Sequence, residues 1–214
     1  MEFLFLLTVR DYIQMLIFGF LNIMFKIIDS KQPDYMAVAF DVHQPTFRHE
    51  MFKDYKGTRK PMMEELREQV PVIKELLQKM NITTVELPGY EADDVIGTLS
   101  KKGEKAGMEV DVISGDRDLL QLASDHITIC IPKTKKGQTT VEEYNTEGVR
   151  KLYKVTPTEF IDVKALMGDS SDNIPGFREL ERKVQQPLFL SLVQLKMPTI
   201  TQMKFLTHVT ETHF

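Results

Sequence analysis

The chain has 214 residues, enough for one sizeable domain with a small appendage. Its hydrophobic content of 42% and charged content of 27% are those of an ordinary globular protein. The net charge of −4 excludes a polycation that coats nucleic acid, so the positive charge for any such partner has to be local.

The first part of the chain is strongly apolar but lacks the pattern of a membrane span. Arg10 and Asp11 divide it into pieces too short to cross roughly 30 Å of hydrocarbon. No basic flank precedes the run and no small-residue cleavage site follows it. The single cysteine, Cys130, cannot form an internal disulfide, which favours a reducing compartment. We therefore expect no membrane partner and a cytoplasmic location.

Apolar spacing and turn residues predict helices that alternate with short strands. The predicted helices, in chain order, cover residues 17–28, 64–80, 91–105, 118–123 and 156–167. The predicted strands cover residues 34–40, 83–87, 108–113, 127–131 and, as an edge strand, 139–144. Residues 42–60 are polar and basic, which is typical of a loop or an exposed helix. The alternation predicts an α/β fold with a mainly parallel sheet covered by helices on both faces.

Eight carboxylates lie in four short clusters, most of them beside an apolar run. They are Asp41, Glu91, Asp93, Asp94, Asp116, Asp118, Asp169 and Asp172. Sites in parallel sheets lie outside the carboxyl ends of the strands, so we expect these acids to converge. Converging acids repel one another unless a cation lies between them, and oxygen ligands suit Mg²⁺ or Mn²⁺. Two such ions in an acidic pocket are typical of phosphodiester hydrolysis.

Each cluster also has an ordinary explanation. Asp41 could be a turn residue or a helix cap. The acids at 91–94 could simply favour a helix N-terminus, and Asp169 and Asp172 could cap a helix and a turn. The basic residues between 48 and 60 could form a solvated face. His43, His49 and His126 have no ligand spacing with the cysteine, so we expect them at the surface.

Five segments carry a resemblance to a known family. They are PDYMAVAFD (33–41), PTFRHEMFKDYKGTR (45–59), GYEADDVIGTL (89–99), SGDRDLLQL (114–122) and LMGDSSDNIPG (166–176). From about residue 17 to residue 176 the chain resembles the 5′-nuclease (5′→3′ exonuclease) domain of bacterial DNA polymerase I. That domain belongs to the flap-endonuclease group, whose core is PIN-like.

The resemblance implies a three-layer PIN-like α/β domain that hydrolyses DNA with two Mg²⁺ or Mn²⁺ ions and no small-molecule cofactor. All eight carboxylates would belong to the metal site, some as direct ligands and others through water. The substrate would be a 5′ flap or a nicked duplex, and a polymerase domain could belong to the intact gene product. The DNA-binding residues in the family's helical arch would be Arg48, Lys53, Tyr55, Lys56 and Arg59. Of these, Lys56, Arg59 and Tyr55 would act in catalysis, with Tyr55 stacking on a base.

Both ends depart from the family pattern. The family's first strand, which ends in a metal-binding Asp-Gly, has no counterpart before Ile17, and the glycine turn of a helix-hairpin-helix is absent after Gly176. We therefore expect a non-family segment at 1–16, the nuclease core at 17–176 and a non-family tail at 177–214. Because permitted codons at both ends restore the family pattern in a neighbouring frame, we hypothesise that the ends are frameshifted. Loss of a central strand would lower stability and activity.

Two other functions remain open from the sequence. The chain could be a non-catalytic DNA-binding or non-functional fragment of such a nuclease. It could also be a PIN-type ribonuclease, which shares the acidic core but lacks the arch, and the basic segment at 45–59 favours the DNA nuclease over it.

Overall fold

The computed structural model describes residues 9–135 and 138–176, and they fall into two compact units. Of the described residues, the first unit contains those up to Gln44 and then Lys60–Val95. The second unit contains Pro45–Arg59 and the described residues from Ile96 to Gly176. The basic segment therefore belongs to a different unit from the residues on either side of it.

Seven helices and five strands are described. The helices are α1 (Val9–Lys31), α2 (Phe47–Met51), α3 (Glu64–Arg67), α4 (Gln69–Lys79), α5 (Ala92–Lys105), α6 (Thr146–Tyr153) and α7 (Pro157–Met167). The strands are β1 (Ala37–Ala39), β2 (Thr83–Val85), β3 (Val110–Ile113), β4 (Ile127–Lys135) and β5 (Gln138–Tyr144). A short 3₁₀ helix follows β3, at Arg117–Leu122.

The first unit packs helices α1 and α4 against a small parallel sheet. Strands β1 and β2 pair in parallel, with Val38 opposite Thr84. Its buried core consists of Met24 from α1 and of Ile73 and Leu77 from α4. The position of β1 in this unit brings the next acid, Asp41, to the end of the sheet.

The predicted single helix at 64–80 is wrong in one respect, because it is interrupted at Glu68. Pro71 explains the break. Proline has no N–H to donate to the carbonyl of residue 67, and its ring clashes with that carbonyl. A second helix, α4, therefore starts at Gln69 and places the proline within its first turn, where a missing N–H does no harm.

The second unit has a mixed sheet under a larger core. Strands β3 and β4 pair in parallel, and β4 and β5 pair antiparallel. Helix α7 supplies buried Phe160, Val163 and Leu166, which pack with buried Ile127 and Ile129 of β4. This packing fixes the end of α7, from which the loop at 168–176 leaves.

Sequence reasoning missed α6. The helix has only eight residues, and Gly148 lies in its first turn, which lowers helix propensity. The available signal was Asn145, whose side-chain Oδ1 accepts a hydrogen bond of 2.9 Å from the Gly148 N–H as an N-cap.

The predicted α/β class with parallel strand pairs is confirmed. Strands β1 and β2 are shorter than expected, and α1 begins at Val9 rather than at 17, because polar residues such as Arg10 do not interrupt a helix. In the part of the chain that the structure describes, no helix is long and apolar enough to cross a membrane. The predicted non-family tail and residues 1–8 of the predicted head segment lie outside the described residues.

Candidate active site

In the first unit, four predicted metal ligands lie at the start of α5. Asp41 Oδ1 accepts a hydrogen bond of 2.7 Å from the Ala92 N–H, the first residue of the helix. The Glu91 N–H in turn donates to Asp94 Oδ2 at 3.0 Å, and Asp93 lies on the first turn of α5. These acids therefore do what acids commonly do at a helix N-terminus, since they stabilise the positive end of the helix. It also places Asp41, 51 positions away in the chain, beside the acids of α5.

In the second unit, Asp116 and Asp118 follow strand β3. Asp116 caps the 3₁₀ helix, because its Oδ1 accepts a hydrogen bond of 2.8 Å from the Asp118 N–H. Its own N–H donates to Ser114 Oγ at 3.0 Å. These contacts hold the two carboxylates at the carboxyl end of β3, where sites in parallel sheets are formed.

Lys164 of α7 joins this cluster to the loop at 168–176. Its Nζ lies 2.8 Å from Asp118 Oδ1 and 3.6 Å from Asp169 Oδ2. Sequence reasoning missed Lys164. The signal was a lone basic residue in the apolar run that leads into Gly168-Asp169, a position where an unpaired charge would be costly.

The pKa values of this cluster reflect burial and the lysine. Burial raises the pKa of Asp118 above its ordinary value, and Lys164 only partly opposes the shift. Burial also opposes ionisation of Asp169, but hydrogen bonds from Ser171 and Asp172 outweigh it and lower the pKa of that carboxyl. Burial alone would lower the pKa of Lys164, whereas its carboxylate partners, Asp118 first, raise it. The cluster therefore favours a positive charge at its centre.

The loop at 168–176 is closed on itself. The Asp169 N–H donates to the Ile174 carbonyl at 2.9 Å, and the Ile174 N–H donates back at 2.7 Å. Gly168 has φ +70°, and a Cβ there would lie 2.6 Å from the Ile174 carbonyl oxygen, so only glycine fits. Within the loop, Asp169 Oδ1 accepts from the Ser171 N–H at 2.8 Å and from Ser171 Oγ at 2.6 Å.

The basic segment contacts this loop through Asp172. The Tyr55 hydroxyl donates to Asp172 Oδ2 at 3.1 Å, and the Arg59 guanidinium forms an ion pair with Asp172 Oδ1. The Lys56 N–H donates to the Asp172 carbonyl at 2.9 Å. Tyr55 is only 5% exposed, so its ring does not offer a free face for base stacking in this conformation.

The other predicted DNA-binding residues lie on the same segment. The Arg48 guanidinium lies 4.6 Å from the ring centroid of Phe47, and the Lys56 Nζ lies 5.1 Å from the ring centroid of Tyr55. Lys53 is exposed. The segment therefore presents positive charge next to the acidic loop of its own unit.

The eight predicted ligands thus divide equally between the two units. The first unit holds Asp41, Glu91, Asp93 and Asp94, and the second holds Asp116, Asp118, Asp169 and Asp172. No three Asp, Glu, His or Cys side chains among the described residues are arranged so that they could hold a metal ion together. The donors are nevertheless all carboxylate oxygens, as hard divalent cations require, and the Lys164 ammonium already lies between two of them.

The sequence matches the family described as "5'-3' exonuclease, N-terminal resolvase-like domain" over residues 8–154. The DNA polymerase I of Bacillus subtilis is 53% identical over 160 residues, which are 75% of this chain and 18% of that protein. The DNA polymerase I of Caldicellulosiruptor bescii is 41% identical over 172 residues, which are 80% and 20% of the two chains. The chain thus spans at most 20% of the length of these curated relatives.

Two solved structures of T5 nuclease have a similar fold. The T5 5′-exonuclease with bound zinc is 26% identical with a TM-score of 0.58, and the match covers 74% of this chain and 60% of that chain. The bacteriophage T5 flap endonuclease, in a complex with DNA and metal ions, is 25% identical with a TM-score of 0.59 and the same coverage.

Proposed function

The chain belongs to the family of 5′-3′ exonuclease N-terminal, resolvase-like domains, and from this we propose that it hydrolyses DNA phosphodiester bonds as a metal-dependent 5′→3′ exonuclease and flap endonuclease. The preferred substrate is a 5′ flap or a nicked duplex met in replication and repair. The similar T5 structures with metal ions and with DNA support both the cofactor class and the substrate class.

One observation carries this proposal. Within the second unit, the carboxylates of Asp118 and Asp169 converge on a single ammonium group, and the adjacent Asp172 contacts a basic segment. A phosphodiester nuclease needs this pairing of an acidic cluster for cations with basic groups for phosphate.

The cofactor in this proposal is a pair of Mg²⁺ or Mn²⁺ ions. Asp116, Asp118, Asp169 and Asp172 serve one ion, directly or through water, and Glu91, Asp93 and Asp94 serve the other with help from Asp41. When bound, the ions supply Lewis-acid activation of the attacking water and charge neutralisation at the leaving oxygen.

The basic segment binds and orients the DNA backbone. Lys56 and Arg59 neutralise charge on the scissile phosphate, and Arg48 and Lys53 contact neighbouring phosphates. Tyr55, for which base stacking is the expectation from the family, has to leave its buried position to stack. Each phosphate contact contributes to affinity without reading sequence, so cleavage depends on the shape of the DNA.

Cleavage of a labelled 5′-flap duplex, with Mg²⁺ or with EDTA, tests the proposal. We expect cleavage with Mg²⁺ only, and we expect Asp116→Asn to reduce the rate by at least about 100-fold. Asp125→Asn is the matched control, because this exposed acid follows β3 and the same 3₁₀ helix but lies outside the proposed site. Equal rates for the two variants, or cleavage in EDTA, contradict the proposal.

A non-catalytic DNA-binding function is the second candidate. It is favoured by the occupation of Asp118, Asp169 and Asp172 by protein cations. A band shift on the flap without cleavage selects this function, and cleavage of an RNA strand in preference to the flap selects a ribonuclease.

The remaining parts of the proposal concern the whole gene product. The similarity to bacterial DNA polymerases I supports a polymerase domain in the intact protein and a cytoplasmic location. The boundaries at 16/17 and 176/177 stay predictions.

A further inference from the structure

We infer that Asp172 is a positioning residue, whose carboxylate fixes the turn at 54–59 and contacts any bound cation only through water. Both of its oxygens are already used, because Oδ2 accepts from the Tyr55 hydroxyl and Oδ1 pairs with the Arg59 guanidinium. Asp169, three residues earlier, also uses Oδ1, which accepts from Ser171. Its Oδ2, however, lies 3.6 Å from the Lys164 ammonium, a cation that a metal ion can replace, so Asp169 remains the direct ligand in this assignment.

The contact between the two turns extends beyond this carboxylate. The Asp172 carbonyl accepts from the Lys56 N–H at 2.9 Å, and the Asn173 Nδ2 donates to the Asp54 carbonyl at 2.8 Å. The Arg59 Nε donates to the Ser171 carbonyl at 3.2 Å. Backbone and side-chain groups of both turns thus bind one another across more than 110 positions of sequence.

The backbone conformation of both turns indicates that the contact between residues 54–59 and the loop at 168–176 is a fixed part of the structure. Lys56 has φ +55° and Asn173 has φ +60°, one on each turn. The left-handed region is unfavourable for a lysine, and such residues persist only where their surroundings fix them. Here the Lys56 N–H is fixed by Asp172 and the Asn173 side chain by Asp54.

Tyr55 connects the contact to the rest of the segment. Its ring makes an edge contact with His49 at 5.1 Å between centroids, and His49 Nδ1 accepts from the Thr46 N–H at 3.1 Å. Tyr55 and Thr46 are each 5% exposed. The hydroxyl of Tyr55 therefore transmits the position of Asp172 to the segment that carries the phosphate-binding side chains.

The inference rests on the proposed function only in treating Asp169 as a direct ligand. Its first test is hydrogen exchange of the peptide that covers residues 54–59, with a peptide from α6 as internal control. Tyr55→Phe removes one hydroxyl and keeps the ring, and we expect it to speed exchange of residues 54–59 by about tenfold. Unchanged exchange in Tyr55→Phe overturns the inference, and this variant serves even where Asp172→Asn fails to fold.

The second test is calorimetric titration with Mn²⁺. We expect Asp172→Asn to weaken Mn²⁺ binding by about tenfold, as for a residue that acts through water, whereas Asp169→Asn, the matched control, weakens it at least about tenfold further. Equal losses in the two variants make Asp172 a direct ligand and overturn the inference. Both tests give a result even if the chain does not cleave DNA, in which case only the proposed function fails.

The third test separates positioning from base stacking in flap cleavage. If the Tyr55 hydroxyl positions the segment, Tyr55→Phe and Tyr55→Leu lower kcat by a similar factor of about ten and leave KM within about twofold. If the ring stacks on a base, Tyr55→Phe retains the parent rate while Tyr55→Leu raises KM, and that pattern overturns the inference.

Discussion

Replacement of Lys164 by methionine tests the charge balance of the acidic cluster. The variant keeps most of the length of the side chain but leaves Asp118 and Asp169 without the ammonium that lies 2.8 and 3.6 Å from their oxygens. Without a metal ion, we expect a loss of folding stability at neutral pH, because two partly buried carboxylates then repel each other.

The magnitude follows from the exposure of the three side chains. They are 26%, 37% and 22% exposed for Lys164, Asp118 and Asp169, which lies between surface pairs and fully buried pairs. Surface pairs contribute about 0–1 kcal/mol and breaking buried pairs costs about 3–5 kcal/mol, so solvent screening reduces the expected loss to about 1–2 kcal/mol. For a chain of this length the loss lowers Tm by about 2–8 °C.

Divalent cations should reverse the effect. With the competing ammonium gone, the free carboxylates should bind Mn²⁺ about tenfold more tightly, which corresponds to about 1.4 kcal/mol. Thermal unfolding of Lys164→Met in EDTA and across an Mn²⁺ series measures both quantities.

Two controls make the result specific. Lys101→Met breaks a surface pair with Glu104 in the same unit and should change stability by no more than about 0.5 kcal/mol at any Mn²⁺ concentration. Lys164→Arg keeps the positive charge and should resemble the parent chain. Weaker Mn²⁺ binding in Lys164→Met would show that the lysine supports the cation site instead of competing with it, and would refute this reasoning.

Three further predictions concern the elements that hold the site. Gly168→Ala should cost at least about 2 kcal/mol in urea unfolding, because its φ is +70°, whereas Gly115→Ala, with no atom within 4 Å of the added carbon, should change stability by less than about 0.5 kcal/mol. The pKa of Asp169 is lowered on folding, so the ionised carboxylate contributes to folding stability above its ordinary pKa of 3.8. This contribution is lost as the pH falls through the pKa of the folded state. In thermal unfolding, Asp169→Asn should therefore be less stable than the parent chain at pH 7, and this difference should shrink below about pH 4. Asp41→Ala removes the acceptor of the Ala92 N–H and should lower stability by about 1 kcal/mol in thermal unfolding, and no change would mean that α5 does not need this cap.

The local signals in the sequence were sufficient for most elements. The strand at 108–113 and the helix at 156–167 follow from apolar spacing and turn residues, and the structure has β3 and α7 there. The break in the predicted helix at 64–80 also has a local cause, Pro71, but the periodic spacing of apolar residues continues across it and conceals it.

The partners within the site could not be predicted in this way. Lys164 meets Asp118 across 46 positions, and Tyr55 meets Asp172 across 117 positions, so no local pattern links them. From residue type we predicted that the acids and the basic segment take part in the same reaction, the hydrolysis of DNA. It did not predict that an acid and a tyrosine assigned to different roles would bind each other, because only the folded chain brings them together.

The mutual hydrogen bonds between Asp169 and Ile174 make the acidic loop a ring of fixed circumference. An inserted residue between these two positions has to bulge outward, and a deleted residue breaks the hydrogen bonds that close the ring. Attempts to re-engineer the spacing between the carboxylates will therefore disturb this loop, because its closing hydrogen bonds tolerate no change in length.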